Sequence, residues 1–171
     1  GAIWISGTRH VIFSVGFAMQ QLGMKLLNEI AWEKPNPPPN LSCRYFTHST
    51  ETLIWAAKSM KSKHIFNYQD MRALAGGKQM KSVWRIAAPT AEEKSFGKHP
   101  TQKPVTLLER IIKACTHPGD LVLDPFAGSG TTGVAAVRLN RKFIGIELDP
   151  QFAALAVKRL GEAERQLALA L

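Results

Sequence analysis

A chain of 171 residues with 45% hydrophobic content carries enough apolar mass for one packed core, which argues against a disordered or fibrous polypeptide. Its 22 Lys and Arg outweigh 13 Asp and Glu, leaving a formal charge of +9; such a field favours polyanions, with ribosomal, nucleic-acid-modifying and membrane-surface roles all compatible. No apolar run approaches a membrane span, no basic-then-apolar leader opens the chain, and Cys43 and Cys115 lack metal-ligand spacing, so a reducing, cytoplasmic setting without metal or membrane is expected.

Residues 2–5 read as a buried strand with no lead-in, and sequence ahead of Gly1 is therefore expected. From His10 to Leu22, Val11, Phe13, Phe17 and Leu22 recur at helical spacing, and Gly23 is a suitable stop. A second strand is predicted over 26–32, with Leu26, Ile30 and Trp32 on one face. Residues 34–40, KPNPPPN, are too proline-rich for helix or central strand and must be an extended loop. A polar and aromatic stretch follows, with Arg44, Tyr45, Phe46 and His48. Further predictions are a strand over 52–57, a short strand at 65–66, a helix over 68–74 broken at Gly76 and Gly77, an extended segment over 83–86 and a loop over 90–98.

Between Lys58 and Lys103 the chain has ten Lys or Arg against three acids, interleaved with Phe66, Tyr68, Trp84 and Phe96. This pattern fits a solvated face. It also fits a surface that follows a phosphate backbone, with aromatics available to stack on bases. In the second reading Arg44, Lys58, Lys61, Lys63, Lys78, Lys81 and Arg85 are the candidate DNA contacts.

Residues 99–104, HPTQKP, precede a predicted helix over 105–114, with Pro104 suited to its first turn. A turn over 116–120 leads into a short strand, 121–123, ending at Asp124. The glycine-rich turn DPFAGSGTT, a helix over 131–139 and a strand over 143–146 ending at Glu147 complete half of a nucleotide-binding α/β unit. The final helix starts at Asp149 and Pro150. Its stripe runs through Phe152, Leu155, Ala156 and Leu160, which leaves Lys158 and Arg159 facing solvent and Gly161 as a candidate end or bend.

Gly128, Gly130 and Gly133 fit the dinucleotide pattern, with Glu147 roughly 20 residues on to accept ribose hydroxyls. Asp124 argues for another ligand. A carboxylate beside the turn repels a pyrophosphate but suits the ammonium and sulfonium of S-adenosylmethionine. A Walker A phosphate loop is excluded, because no Gly-Lys-Ser/Thr follows the glycines.

DPFAGSGTT at 124–132, preceded by HPTQKP at 99–104, resembles the amino-methylating DNA methyltransferases of bacterial restriction–modification and orphan systems. The motif order is that of the β group, and KPNPPPN followed by SCRYFTHSTE is similar to one adenine-methylating branch. The resemblance implies a Rossmann-like α/β methyltransferase fold, three-layered, with permuted motifs. It implies S-adenosyl-L-methionine bound by Asp124, Pro125, Phe126, Ala127, Gly128, Ser129, Gly130, Thr131 and Thr132, with Glu147 on the ribose. His99, Thr101, Gln102 and Lys103 would lie near the methionine carboxylate, Lys103 as its cation. It further implies methyl transfer to adenine N6 in duplex DNA, with cytosine N4 and a non-catalytic nucleic-acid-binding relative as alternatives. Homodimers and a cognate restriction endonuclease are the implied partners. One methyltransferase domain is expected, with residues 40–98 as a target-recognition insertion and 99–171 as the cofactor half. The family's tetrad, Asp/Asn/Ser-Pro-Pro-Tyr/Phe/Trp, is absent from the 171 residues and is expected upstream. Asn36-Pro37-Pro38-Pro39 imitates it without the aromatic that stacks on a flipped base. These residues alone are therefore expected to be inactive.

Overall fold

The computed structural model of the chain describes residues 1–169, in two units, Gly1–Ala87 and Ala88–Leu171. In the first, β1 (Ala2–Gly7), α1 (Ile12–Gln21) and β2 (Lys25–Glu33) form the expected strand, helix, strand series. Gly23, at φ +69°, takes the left-handed conformation that stops α1. The two strands are not neighbours. β3 (Thr50–Ala57) lies between them and is antiparallel to both, and β4 (Val83–Arg85) pairs parallel to β2, giving the order β1-β3-β2-β4. β3 is thus an interior strand, consistent with its buried Leu53, Trp55, Ala56 and Ala57.

The expected facing of β2 needs one correction. Leu26 pairs with Ala56 and Asn28 pairs with Trp55, so Leu27 is an extra residue in a bulge. That residue reverses the alternation and places Leu26 on the face opposite Ile30 and Trp32. The other face gathers all four tryptophans. Trp4 pairs with Trp55 and stacks on it at 5.1 Å; Trp32 pairs with Trp84, and its indole N–H donates to the Ile86 carbonyl at 2.8 Å. The expected strand at 65–66 does not form. His64 and Phe66 turn their rings onto Trp55 and cover that face, and α2 (Tyr68–Leu74) follows directly. On the opposite face Gly16 of α1 lies against Ile54.

Within residues 40–98, β3 and β4 join this sheet and α2 lies between them in sequence; the first unit ends at Ala87.

The second unit is built on parallel strands β5 (Leu121–Asp124) and β6 (Lys142–Gly145), joined through α4 (Thr131–Arg138). β6 starts one residue earlier than predicted. The apolar stripe of α3 (Val105–Cys115) packs with α4 and α5 (Pro150–Leu169) around Val105, Ile112, Val134, Ala135, Ala136 and Ala163. Val122 and Phe143 bring one face of the strand pair onto this cluster. Leu121, Leu123, Ile144 and Ile146 on the other face are exposed. α5 continues as helix past Gly161, so the helix does not end there.

Candidate functional site

The site sits where β5 ends, the position at which open α/β sheets present ligands. Asp124 closes the strand and starts the turn: its Oδ1 accepts from the Phe126 amide at 3.0 Å, and its Oδ2 accepts from the Thr132 hydroxyl at 2.5 Å. Each carboxylate oxygen keeps acceptor capacity beyond these bonds. The Ala127 amide donates to the Ile146 carbonyl and the Gly130 amide to the Ala127 carbonyl, so the loop is tied to the end of β6 and curls tightly on itself. Gly130, at φ +74°, leads into α4.

Glu147 lies beside this loop just past β6. Its Oε2 accepts from the Gly128 amide at 2.7 Å, and its Oε1 accepts from the Asp149 amide at 2.9 Å. The amide of Asp149, then that of Gly128, hold its carboxyl below the ordinary glutamate value. At neutral pH Glu147 is a fixed anion at the loop mouth.

HPTQKP reaches the same place. The His99 ring stands edge-on to Phe152 with centroids 4.2 Å apart, and its Nε2 lies 3.1 Å from where a Gly128 side chain would start. Its Nδ1 accepts from the Thr101 amide, so the neutral ring carries its proton on Nε2, facing Gly128. Gln102 is buried; its amide nitrogen donates to the Glu93 carbonyl, and its Oε1 has no hydrogen-bond partner among the described residues. Glu93 also accepts from the Val105 amide at the start of α3, anchoring this segment to the helix. Pro104 is fully buried and directly precedes Val105, the first residue of α3, where the predicted helix also starts. Lys103 is half-buried.

The predicted cofactor residues therefore fall into three groups. Asp124, Gly128, Glu147 and His99 converge. Phe126 is 88% exposed, and Pro125 beside it is also exposed. Ser129 and Thr131 are buried instead, and their hydroxyls accept from Arg159. Arg159 itself is 5% exposed, which corrects the expectation that it faces solvent: α5 turns it under the loop, where buried oxygens match its protons. Leu148, 97% exposed beside Glu147, is an apolar surface that the motif reading passed over. Its signal was a large apolar residue between two acids, outside any strand or helix stripe.

The seven predicted DNA contacts are all exposed but do not share one edge of the first unit's sheet. Arg44 precedes β3 and Arg85 ends β4, at the edge where β1, β2 and β4 end. Lys58, Lys61 and Lys63 follow β3 at the opposite edge, about 25 Å away along an eight-residue strand. Lys78 and Lys81 lead into β4. Beside Arg44, a cleft of about 460 Å³ is lined by Arg9, Tyr45, Phe46, Thr47, His48, Ser49 and Thr50.

Comparison with known proteins places this geometry. A family model described as DNA methylase matches residues 1–158. The chain is 58% identical over 167 residues to the type II methyltransferase M2.DpnII of Streptococcus pneumoniae, covering 97% of this chain and 62% of that protein. It spans about three fifths of the length of the curated relatives it matches. The crystal structure of an M1.HpyAVI–SAM complex superposes with a TM-score of 0.80 at 37% identity, covering 94% of this chain and 74% of that one. The cytosine-N4-specific PvuII DNA methyltransferase shares the fold, with a TM-score of 0.76 at 23% identity over 97% of this chain and 69% of that one. A chain with this turn, this acidic strand end and this match over nearly its whole length belongs to the N6/N4 DNA methylase family.

Proposed function

We propose that the protein containing this chain transfers a methyl group from S-adenosyl-L-methionine to the exocyclic amine of a base in duplex DNA, with adenine N6 as the target. The observation that carries the cofactor assignment is the convergence of two carboxylates, Asp124 and Glu147, on one glycine loop. An anionic rim of this kind opposes a pyrophosphate and suits a cationic donor. The residues fit that donor. Glu147 is held ionised with acceptor capacity left for ribose hydroxyls, and Asp124 has the same for an ammonium. Phe126 and Leu148 offer exposed apolar surface for a planar ring, and Lys103 is the cation for a carboxylate. The donor supplies an electrophilic methyl on sulfur. The protein's part is to hold it, exclude water and align an extruded base nitrogen with that carbon.

The amine's lone pair is delocalised into the ring, so acceptors for its protons are needed as it attacks. The Pro-Pro-aromatic tetrad that provides them in the family is not among these 171 residues. The chain on its own is accordingly expected to bind donor without transferring methyl. DNA is proposed to follow the edge where β1, β2 and β4 end, with Arg44 and Arg85 on its phosphates. The adenine assignment rests on the KPNPPPN-to-Glu51 resemblance. Cytosine N4 is the competing target, because the same fold serves a cytosine-N4-specific enzyme. Calorimetry of the chain with S-adenosylmethionine and with NAD tests the cofactor; binding of NAD alone would sink the assignment. Mass analysis of nucleosides from DNA treated with the full-length protein tests the base, and 4-methylcytosine would refute adenine.

A further inference from the structure

Arg159 has no role in the motifs, yet it is buried under the glycine loop and donates three hydrogen bonds to it. Its Nη1 donates to the Ser129 carbonyl at 2.7 Å and to the Ser129 and Thr131 hydroxyls, each at 2.9 Å. A guanidinium this buried is costly unless oxygen dipoles answer its charge. Here the glycine loop provides them, and the Glu93 carboxylate acts on it through its field. One turn earlier on the same helix face, Ala156 approaches Gly130 so closely that a side chain there would start 2.8 Å from its Cβ. Thus α5 meets the loop at two successive points.

We propose that Arg159 is a positioning residue for Glu147. It fixes the Ser129 carbonyl and the two hydroxyls beside it, which sets the course of the loop two peptide units on from the Gly128 amide, and that amide orients the Glu147 carboxylate at 2.7 Å. The role rests on the reading of this loop as the S-adenosylmethionine cradle. It makes donor affinity depend on a residue that touches neither donor nor base.

The test uses the 171-residue chain, with S-adenosylmethionine affinity by calorimetry, folding by circular dichroism and amide exchange at Gly128 and Gly130 by NMR. Arg159→Met is expected to melt cooperatively, to bind about tenfold more weakly, as loss of one charge-assisted hydrogen bond implies, and to exchange faster at both glycines. Arg159→Lys should recover part of the affinity, which a general loss of packing would not predict. Unchanged affinity and exchange in Arg159→Met, beside a wild type that binds, overturn the positioning role alone. Should Arg159→Met not fold, Thr131→Val decides: it removes one acceptor and should weaken binding about twofold to fivefold with faster Gly128 exchange, and no change overturns the role. A wild-type chain that does not bind S-adenosylmethionine sinks the cradle reading and the positioning role together.

Discussion

Replacement of Gly130 by alanine gives a direct measure of how tightly the loop is held. The residue sits at φ +74°, and an added Cβ would lie 2.8 Å from the Cβ and 2.9 Å from the Cα of Ala156. The left-handed conformation costs an L-residue about 1–2 kcal/mol. The collision is with helix backbone, which cannot rotate aside, and overpacking of this kind adds about 1–3 kcal/mol. The sum, about 2–5 kcal/mol, is a large part of the 5–15 kcal/mol typical of a domain. Two glycines of the same unit separate the terms. Gly119 has φ +84° with nothing within 4 Å, so Gly119→Ala should show the conformational cost alone, about 1–2 kcal/mol. Gly161 lies within α5 with open space around it, and Gly161→Ala should stabilise by about 0.5–1 kcal/mol. Urea denaturation followed by far-ultraviolet circular dichroism, with the slope checked for constancy, orders the three. If Gly130→Ala matched Gly119→Ala within about 0.5 kcal/mol, the energy assigned to overpacking would be absent, and α5 would not constrain the loop.

Two other predictions concern charge. Because the Asp149 and Gly128 amides depress the Glu147 carboxyl, its contribution to stability is complete above the ordinary glutamate range and is lost as pH falls through the lower folded-state value. Glu147→Gln should therefore cost stability at neutral pH and progressively less in acid, as read from urea midpoints at a series of pH values; a difference independent of pH would contradict the hydrogen bonding described. For DNA, the joint change Arg44→Gln and Arg85→Gln in the full-length protein should reduce the salt slope of binding by about 2, near one per phosphate contact. Lys58→Gln, Lys61→Gln and Lys63→Gln together should leave that slope almost unchanged; anisotropy titrations that gave the reverse would move the DNA to the other edge of the sheet.

Local pattern made much of this chain legible before any coordinates. The bounds of α2, the start of α3 behind Pro104, the strand ending at Asp124, the strand just ahead of Glu147 and the turn between them all follow from residues within a few positions of one another. Relations between distant segments were not legible. Nothing near Thr50 announces that β3 separates β1 from β2, and the bulge at Leu27 depends on a pairing made across the sheet. The basic residues read as one set because they are dense in sequence; β3 carries the chain from one edge to the other between Arg44 and Lys58. Arg159 was assigned to solvent because a helix stripe treats every arginine as outward. Its partners, Ser129 and Thr131, lie some thirty residues earlier, and only the fold brings their oxygens beneath α5.

The tryptophan face of the first unit has a practical consequence. Trp4, Trp32, Trp55 and Trp84, with Tyr45 and Tyr68, are the chain's entire stock of these chromophores, and every one precedes Ala88. Ultraviolet emission is consequently a private channel for residues 1–87: a spectral change on adding a ligand reports there, and melting of the loop-bearing half has no fluorophore of its own. Converting the exposed Phe126 to tryptophan would install a beacon on the loop itself and make the two halves optically separable in one sample.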